Sequence, residues 1–197
     1  MKTVILGLAL ATAFSLPAFA ALKVGDTAPD FTATASLAGK DSTFNLYTAL
    51  KKGPAVVYFY PSAYTGGCDL EAHTFAESAD KFADAKATII GVSADNLERL
   101  NQFSADPAFC AGKFSIASDE STKIAQTYNL KVTPPRAGAK DVRGVDIGHG
   151  FIERVTFVVG TDHKILSVMS SADDKLSPDQ HVEKSLEMVQ KIKVAAK

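Results

Sequence analysis

The stretch that most limits what this chain can fold into is Ala55-Val56-Val57-Tyr58-Phe59-Tyr60-Pro61-Ser62-Ala63-Tyr64-Thr65-Gly66-Gly67-Cys68. Six β-prone residues bounded by Gly53-Pro54 and Pro61 predict a strand, and their lack of polar alternation predicts that both faces are covered. Beyond the Gly pair, Cys68, Ala72, Phe75, Ala76, Ala79, Phe82 and Ala83 fall at helical spacing, which places Cys68 on the first turn of an amphipathic helix. The free N–H groups and dipole of a helix start favour thiolate over thiol, so the position is expected to lower the cysteine's pKa and make it reactive. A cysteine packed as a small hydrophobe, or held in a structural disulfide, fits the same position.

Residues 1–20 read as a signal peptide: Lys2, an apolar core Val4–Ala11, then Ala18 and Ala20 ahead of a cut before Ala21. That apolar run is too short to span a bilayer and no later stretch is long enough, so the expectation is an exported, periplasmic protein with no membrane segment after cleavage. Residues 21–197 then form one domain. A net charge of −1, with no basic run or aromatic-basic stripe, gives no footprint for nucleic acid.

Residues 31–45 read as a hairpin around Leu37–Asp41. A buried strand follows at 87–93, and Asp95 with Glu98 predicts a capping box opening a helix to Ala105. A strand at 113–117 and a short helix from Asp119 to Tyr128 come next. Residues 131–150, rich in Gly and Pro, predict a long surface loop. Ile152–Val159 and Lys164–Met169 predict a hairpin across Gly160–His163, and Ser177-Pro178-Asp179 starts a last helix with Val182, Leu186, Val189 and Ile192 inward. Strands alternating with helices make an α/β domain whose central sheet is covered on both faces.

Pro61, Thr65 and Cys68 have the spacing of the peroxiredoxin active-site motif. With Tyr-Phe-Tyr-Pro before it and Asp69-Leu70-Glu71-Ala72 after it, the segment resembles the bacterioferritin-comigratory-protein (PrxQ) branch of the AhpC/TSA family. The likeness extends to Val24–Phe31 and to Arg154–Val159, the latter similar to the family's late Arg-bearing strand. It implies a thioredoxin-like fold with a central mixed sheet flanked by helices. It also implies a thiol peroxidase that reduces hydrogen peroxide or organic hydroperoxides without metal, haem or flavin. A thiol reductant, either a thioredoxin-like protein or a small thiol, would complete the cycle, in a monomer or homodimer.

On this resemblance Cys68 attacks a peroxide oxygen and becomes a sulfenic acid. Thr65 offers its hydroxyl to thiolate and peroxide, and the N–H groups of Gly67 and Cys68 add fixed donors. Pro61 covers the pocket, and Arg154 favours the thiolate and holds developing oxygen charge. Taken singly, Thr65 also fits a helix cap, Pro61 a strand terminator and Arg154 a surface charge. Glu71 could orient Arg154 through a bidentate pair, or serve only as a first-turn carboxylate stabilised by the dipole.

Cys110 is the second of two cysteines. The resemblance implies a resolving cysteine either five residues after the first or in a later helix. His73 occupies the near position, which leaves Cys110 as the internal candidate beside a one-cysteine mechanism with an external thiol. Two other functions compete. A thioredoxin-like thiol-disulfide oxidoreductase usually needs Cys-x-x-Cys, and Thr65 stands where its first cysteine would be. A copper-binding module would draw on Cys68, Cys110 and one or more of His73, His149 and His163.

Overall fold

The computed structural model describes residues 21–195, so the predicted signal peptide lies outside the described residues. The predicted hairpin is β1 (Thr32–Leu37) and β2 (Lys40–Asn45), paired antiparallel from Leu37↔Lys40. Ala38 and Gly39 between them both take positive φ, as a two-residue hairpin turn requires. A short helix α1 (Leu46–Leu50) leads into β3 (Ala55–Phe59), and α2 (Gly66–Asp84) carries the chain to β4 (Thr88–Ser93). Next come α3 (Leu97–Ala105), β5 (Ser115–Ser118) and α4 (Lys123–Thr127). Two-residue strands β6 (Val132–Thr133) and β7 (Phe151–Ile152) pair with each other. β8 (Val155–Val159), β9 (Ile165–Ser170) and α5 (Pro178–Ala195) complete the order.

Seven strands form one mixed sheet in the order β2-β1-β5-β4-β3-β8-β9. β3, β4 and β5 run parallel through the α2 and α3 crossovers, while β8 lies antiparallel to β3. β3 is buried along its whole length and divides its side chains between two cores. Ala55, Val57 and Phe59 join Leu46, Leu50, Ala125 and Tyr128 on one face. Val56, Tyr58 and Tyr60 join Phe75, Phe82, Leu100, Val182 and Val189 on the other. A strand with no polar face has no water-facing side, which is why it reads as continuous apolar sequence.

Several sequence expectations are corrected. Asp95 does not cap α3: Asn96 does, its side chain accepting from Arg99 N at 2.9 Å, because Asp95 is drawn inward by partners from other segments. The strand expected over 152–159 breaks at Glu153-Arg154, where Glu153 turns to receive Lys131 N, so Arg154 precedes β8 and is not part of it. On α2 the inward stripe takes in Glu71 and leaves Ala83 exposed. The 131–150 loop is largely irregular as expected, but β6 and β7 close its base.

Candidate active site

β3 ends before Tyr60, the chain turns through Pro61–Tyr64, and Thr65 sits at the N-cap position of α2 with no capping hydrogen bond from its side chain. Its hydroxyl is therefore not consumed as a cap. In the resting structure it donates to Ser62 O at 2.7 Å, and it is among the groups that favour the Cys68 thiolate. Cys68, on the first turn of α2, is 2% exposed. Arg154 reaches it from just before β8, the strand beside β3: Nη2 donates to Cys68 Sγ at 3.1 Å, while Nη1 pairs with Glu71 Oε2. Thr65, Cys68, Glu71 and Arg154 are thus brought together, and Pro61, half-buried, opens the turn that joins them. Glu71 is fully buried, so it is an inward partner of Arg154 rather than a surface carboxylate at a helix end.

Gly67 makes this approach possible. A Cβ there would stand 3.3 Å from Arg154 Nη2 and 3.4 Å from Pro178, tighter than ordinary contact. This space requirement at Gly67 arises from Arg154 and Pro178, far away in the chain, and leaves no mark in the neighbouring residues.

The expected lowering of the Cys68 pKa does not hold in the closed site. Burial pushes the thiol up, and Arg154, a backbone hydrogen bond from Ser62 and the Thr65 hydroxyl pull it back without overcoming desolvation. The Cys68 N–H, expected to face an oxygen, is instead donated to Thr65 O at 2.7 Å. Burial also pushes the Glu71 carboxyl up to about 7 even with Arg154 beside it. Arg154 keeps its charge, held up by Glu71 and Cys68 against burial.

Further residues in this site were not recognised in the sequence. Asp95, buried at the end of β4, accepts from Ser62 Oγ at 2.9 Å, Ala63 N at 2.8 Å and Ser93 Oγ at 2.7 Å. Arg99 Nη2 donates to Ala63 O at 2.7 Å and pairs with Asp141 on the long loop at 2.9 Å. Val142 N donates to Tyr64 O at 3.0 Å, and the Arg143 guanidinium lies 3.3 Å from the centre of the Tyr64 ring. Each of the three turn residues 62–64 is therefore held by groups distant in sequence. Behind Glu71, His181 of α5 is buried between Thr156 Oγ1 and Ser171 Oγ, each at 2.9 Å, with Nδ1 4.0 Å from Glu71 Oε1. Burial and Arg154 push its pKa down to about 4, which keeps the ring neutral.

Cys68 and Cys110 are both free thiols. Cys110 lies not in a helix but in a turn after α3, fully buried in the same apolar cluster as Cys68. His73, at the position five residues after Cys68, hydrogen-bonds through its ring to Ala108 O at 3.1 Å and so ties α2 to the Cys110 segment. Burial, with Asp106 and Asp69 nearby, pushes the Cys110 thiol far above its ordinary value. The copper ligand set is not gathered. His149 pairs with Asp95, His163 stacks on Tyr47, and among the described residues no three His, Cys, Asp or Glu side chains are grouped to hold a metal.

Residues 24–168 match the AhpC/TSA family. The chain belongs to that family. It is 29% identical over 160 residues to Peroxiredoxin Bcp of Escherichia coli, covering 81% of this chain and 91% of that one. Peroxiredoxin Q of Sedum lineare is 27% identical over 175 residues, covering 89% and 82%. The crystal structure of Peroxidoxin BcpB from Mycobacterium tuberculosis superposes with a TM-score of 0.70 at 29% identity, covering 87% of this chain and 98% of that one. This peroxiredoxin is a thiol peroxidase with a thioredoxin-like fold, and peroxiredoxins as a class take peroxide as oxidant and a thiol as reductant.

Proposed function

We propose that this peroxiredoxin removes hydrogen peroxide and organic hydroperoxides in the exported compartment through a Cys68 sulfenic acid. What supports the assignment to Cys68 is one contact, Arg154 Nη2 on Cys68 Sγ at 3.1 Å in a buried site. The Cys68 sulfur attacks the terminal peroxide oxygen: an S–O bond forms, the O–O bond breaks, and the leaving oxygen departs as water or alcohol with the thiol proton. Arg154 faces the charge that develops on sulfur and oxygen, and the Thr65 hydroxyl swings from Ser62 O to donate to the reacting atoms. Pro61 brings no N–H to this wall of the site.

Cys110 then attacks the sulfenic sulfur, releasing water and leaving a disulfide that an external thiol, protein or small molecule, reduces. As it rests, Cys110 is a poor nucleophile, buried and held protonated. Opening of the 106–112 turn, which frees Ala108 O from His73 and Gly112 N from Ser104 O, would expose the thiol for this step.

Peroxide consumption with several thiol donors tests the first step: Cys68→Ser should fold and lose activity, and substantial residual turnover would overturn the assignment. One equivalent of peroxide followed by non-reducing mass spectrometry tests the second. A Cys68–Cys110 peptide with two hydrogens lost is expected, whereas oxidised Cys68 beside free Cys110 means a one-cysteine mechanism. Export is supported by the signal-like composition of residues 1–20. N-terminal sequencing of the protein recovered from cell fractions should begin at Ala21; an uncut chain in the cytoplasm overturns it.

A further inference from the structure

His149 has no part in the chemistry above, yet it is joined to the turn that carries Thr65. Its Nε2 lies 2.8 Å from Asp95 Oδ1 and its Nδ1 2.8 Å from Gly150 O. A carbonyl oxygen can only accept. Asp95 also receives the N–H of Ala63, which can only donate, and the hydroxyls of Ser62 and Ser93, and it faces the Arg99 guanidinium as an ion pair at 2.9 Å, so it is an ionised acceptor throughout. Both nitrogens of His149 therefore face acceptors, and both contacts are made only when both nitrogens carry hydrogen. A neutral imidazole has one such hydrogen; an imidazolium has two.

We propose that His149, held as an imidazolium between Asp95 and the Gly150 carbonyl, is a positioning residue for the peroxidase reaction, keeping Asp95 fixed on Ser62 and Ala63 and loosening that hold when its proton is lost. With one hydrogen left, either Asp95 or Gly150 O faces a lone pair. Asp95 is then held less firmly, and with it the turn through which Ser62 supports the Cys68 sulfur and Thr65 is aimed at it. The ring is reachable for proton exchange, since its side chain is 20% exposed on the wall of an open cleft of about 530 Å³.

The charged groups around the ring come from α3, the end of β4, its own loop and the segment between β5 and α4. Arg99 on α3 opposes its proton, and Asp95 at the end of β4 favours it. On its own loop, Asp141 and Arg143 pair with each other and Asp141 also with Arg99, while Glu98, Glu120 and Asp146 add negative charge at the cleft rim. Burial alone would push the ring's pKa down; the hydrogen bond and charge of Asp95 outweigh it and hold the ring above its ordinary value.

The inference rests on the peroxidase reading of Cys68, but its first test needs no turnover. Nitrogen-15 NMR of the reduced, ring-labelled protein near neutral pH should show both His149 nitrogens protonated; one unprotonated nitrogen would overturn the proposal. The second test compares wild type with His149→Gln, which keeps a donor for Asp95 without the charge. The rate constant for hydrogen peroxide should be about five- to tenfold higher in wild type at mildly acidic pH, the excess of a charge-assisted hydrogen bond over the neutral one that Gln keeps. The two should converge as wild type loses the proton on the alkaline side. A ratio that is the same at every pH marks a purely structural role and refutes the proposal. If neither protein consumes peroxide, the peroxidase reading fails instead, and the same ratio measured on Cys68 alkylation decides between the two outcomes.

Discussion

Replacing Arg154 by Gln removes a full positive charge whose Nη2 stands 3.1 Å from Cys68 Sγ. With about 4 Å between charge centres and an effective dielectric near 20, the guanidinium–thiolate attraction is about 4 kcal/mol, equivalent to about 3 in pKa. Part of this is returned. Glu71 loses the same partner, and a carboxyl already pushed up to about 7 beside Arg154 takes a proton at neutral pH once the guanidinium is gone. The negative charge that raised the thiol's pKa therefore leaves with it. The net rise expected for Cys68 is about 2, so alkylation by iodoacetamide near pH 7 should slow about 100-fold, thiolate being the reacting form. Because burial already holds the wild-type thiol above its ordinary value, both proteins react through a minor thiolate fraction and the full ratio is observable. Arg154→Lys restores charge without the two-pronged geometry and should recover part of the rate. A rate–pH midpoint that is unchanged or lower, in a variant folded by circular dichroism, would refute the electrostatic role of Arg154.

Glu71→Gln takes a buried negative charge from beside Cys68 while leaving an oxygen for Arg154, so the alkylation midpoint should move down; an upward shift would mean that aiming Arg154 outweighs the charge removed. Stability tied to His181 is complete above its unfolded value near 6.5 and is lost as pH falls, levelling off below about 4, so between about pH 7 and 4 His181→Asn should gain about 3 kcal/mol on wild type in urea unfolding. Glu71 acts in the opposite direction over this range, losing stability as pH rises through about 7, but it is present in both proteins and cancels in the difference. Gly91→Ala should destabilise by about 1–3 kcal/mol, because a Cβ there would stand 2.6 Å from the ring of Tyr58, itself stacked on Phe75 with nowhere to retreat; an unchanged melting temperature would show that the ring moves freely.

The elements that sequence reveals are those whose cause is local. β3 and α2 are legible because burial on both faces and helical periodicity are written in adjacent residues, and the hairpin because a two-residue turn demands Ala38-Gly39 between alternating segments. The misreadings have non-local causes. Asp95 looked like a capping residue because Glu98 follows at the right spacing, but Ser62 and Ala63, more than thirty positions earlier, hold its carboxylate inside. Arg154 is expected within a strand, but Glu153 donates its N–H to Lys131 O and receives Lys131 N on its carboxylate, which ends the pairing one residue before it. The pKa of Cys68 is misread from sequence because a helix start announces its dipole in adjacent residues, whereas the burial that dries the sulfur comes from an apolar cluster assembled from β3, α2, α3 and α5.

That division has a consequence for how the active site is built. Strand, turn and helix can form from their own residues, but Tyr64 must take φ of 57°, a left-handed conformation that a non-glycine residue adopts at a cost of about 1–2 kcal/mol. Arg143 on the Tyr64 ring, Val142 on its carbonyl, and Arg99 and Asp95 on Ala63 offset it from outside, and the first two arrive on the 131–150 loop. Pro61, Thr65 and Cys68 can therefore stand at the right spacing in sequence while the angle between hydroxyl and sulfur is set elsewhere. Weakening that loop should slow Cys68 without touching any residue of the motif, and the cost should appear in the rate of peroxide attack before it appears in stability.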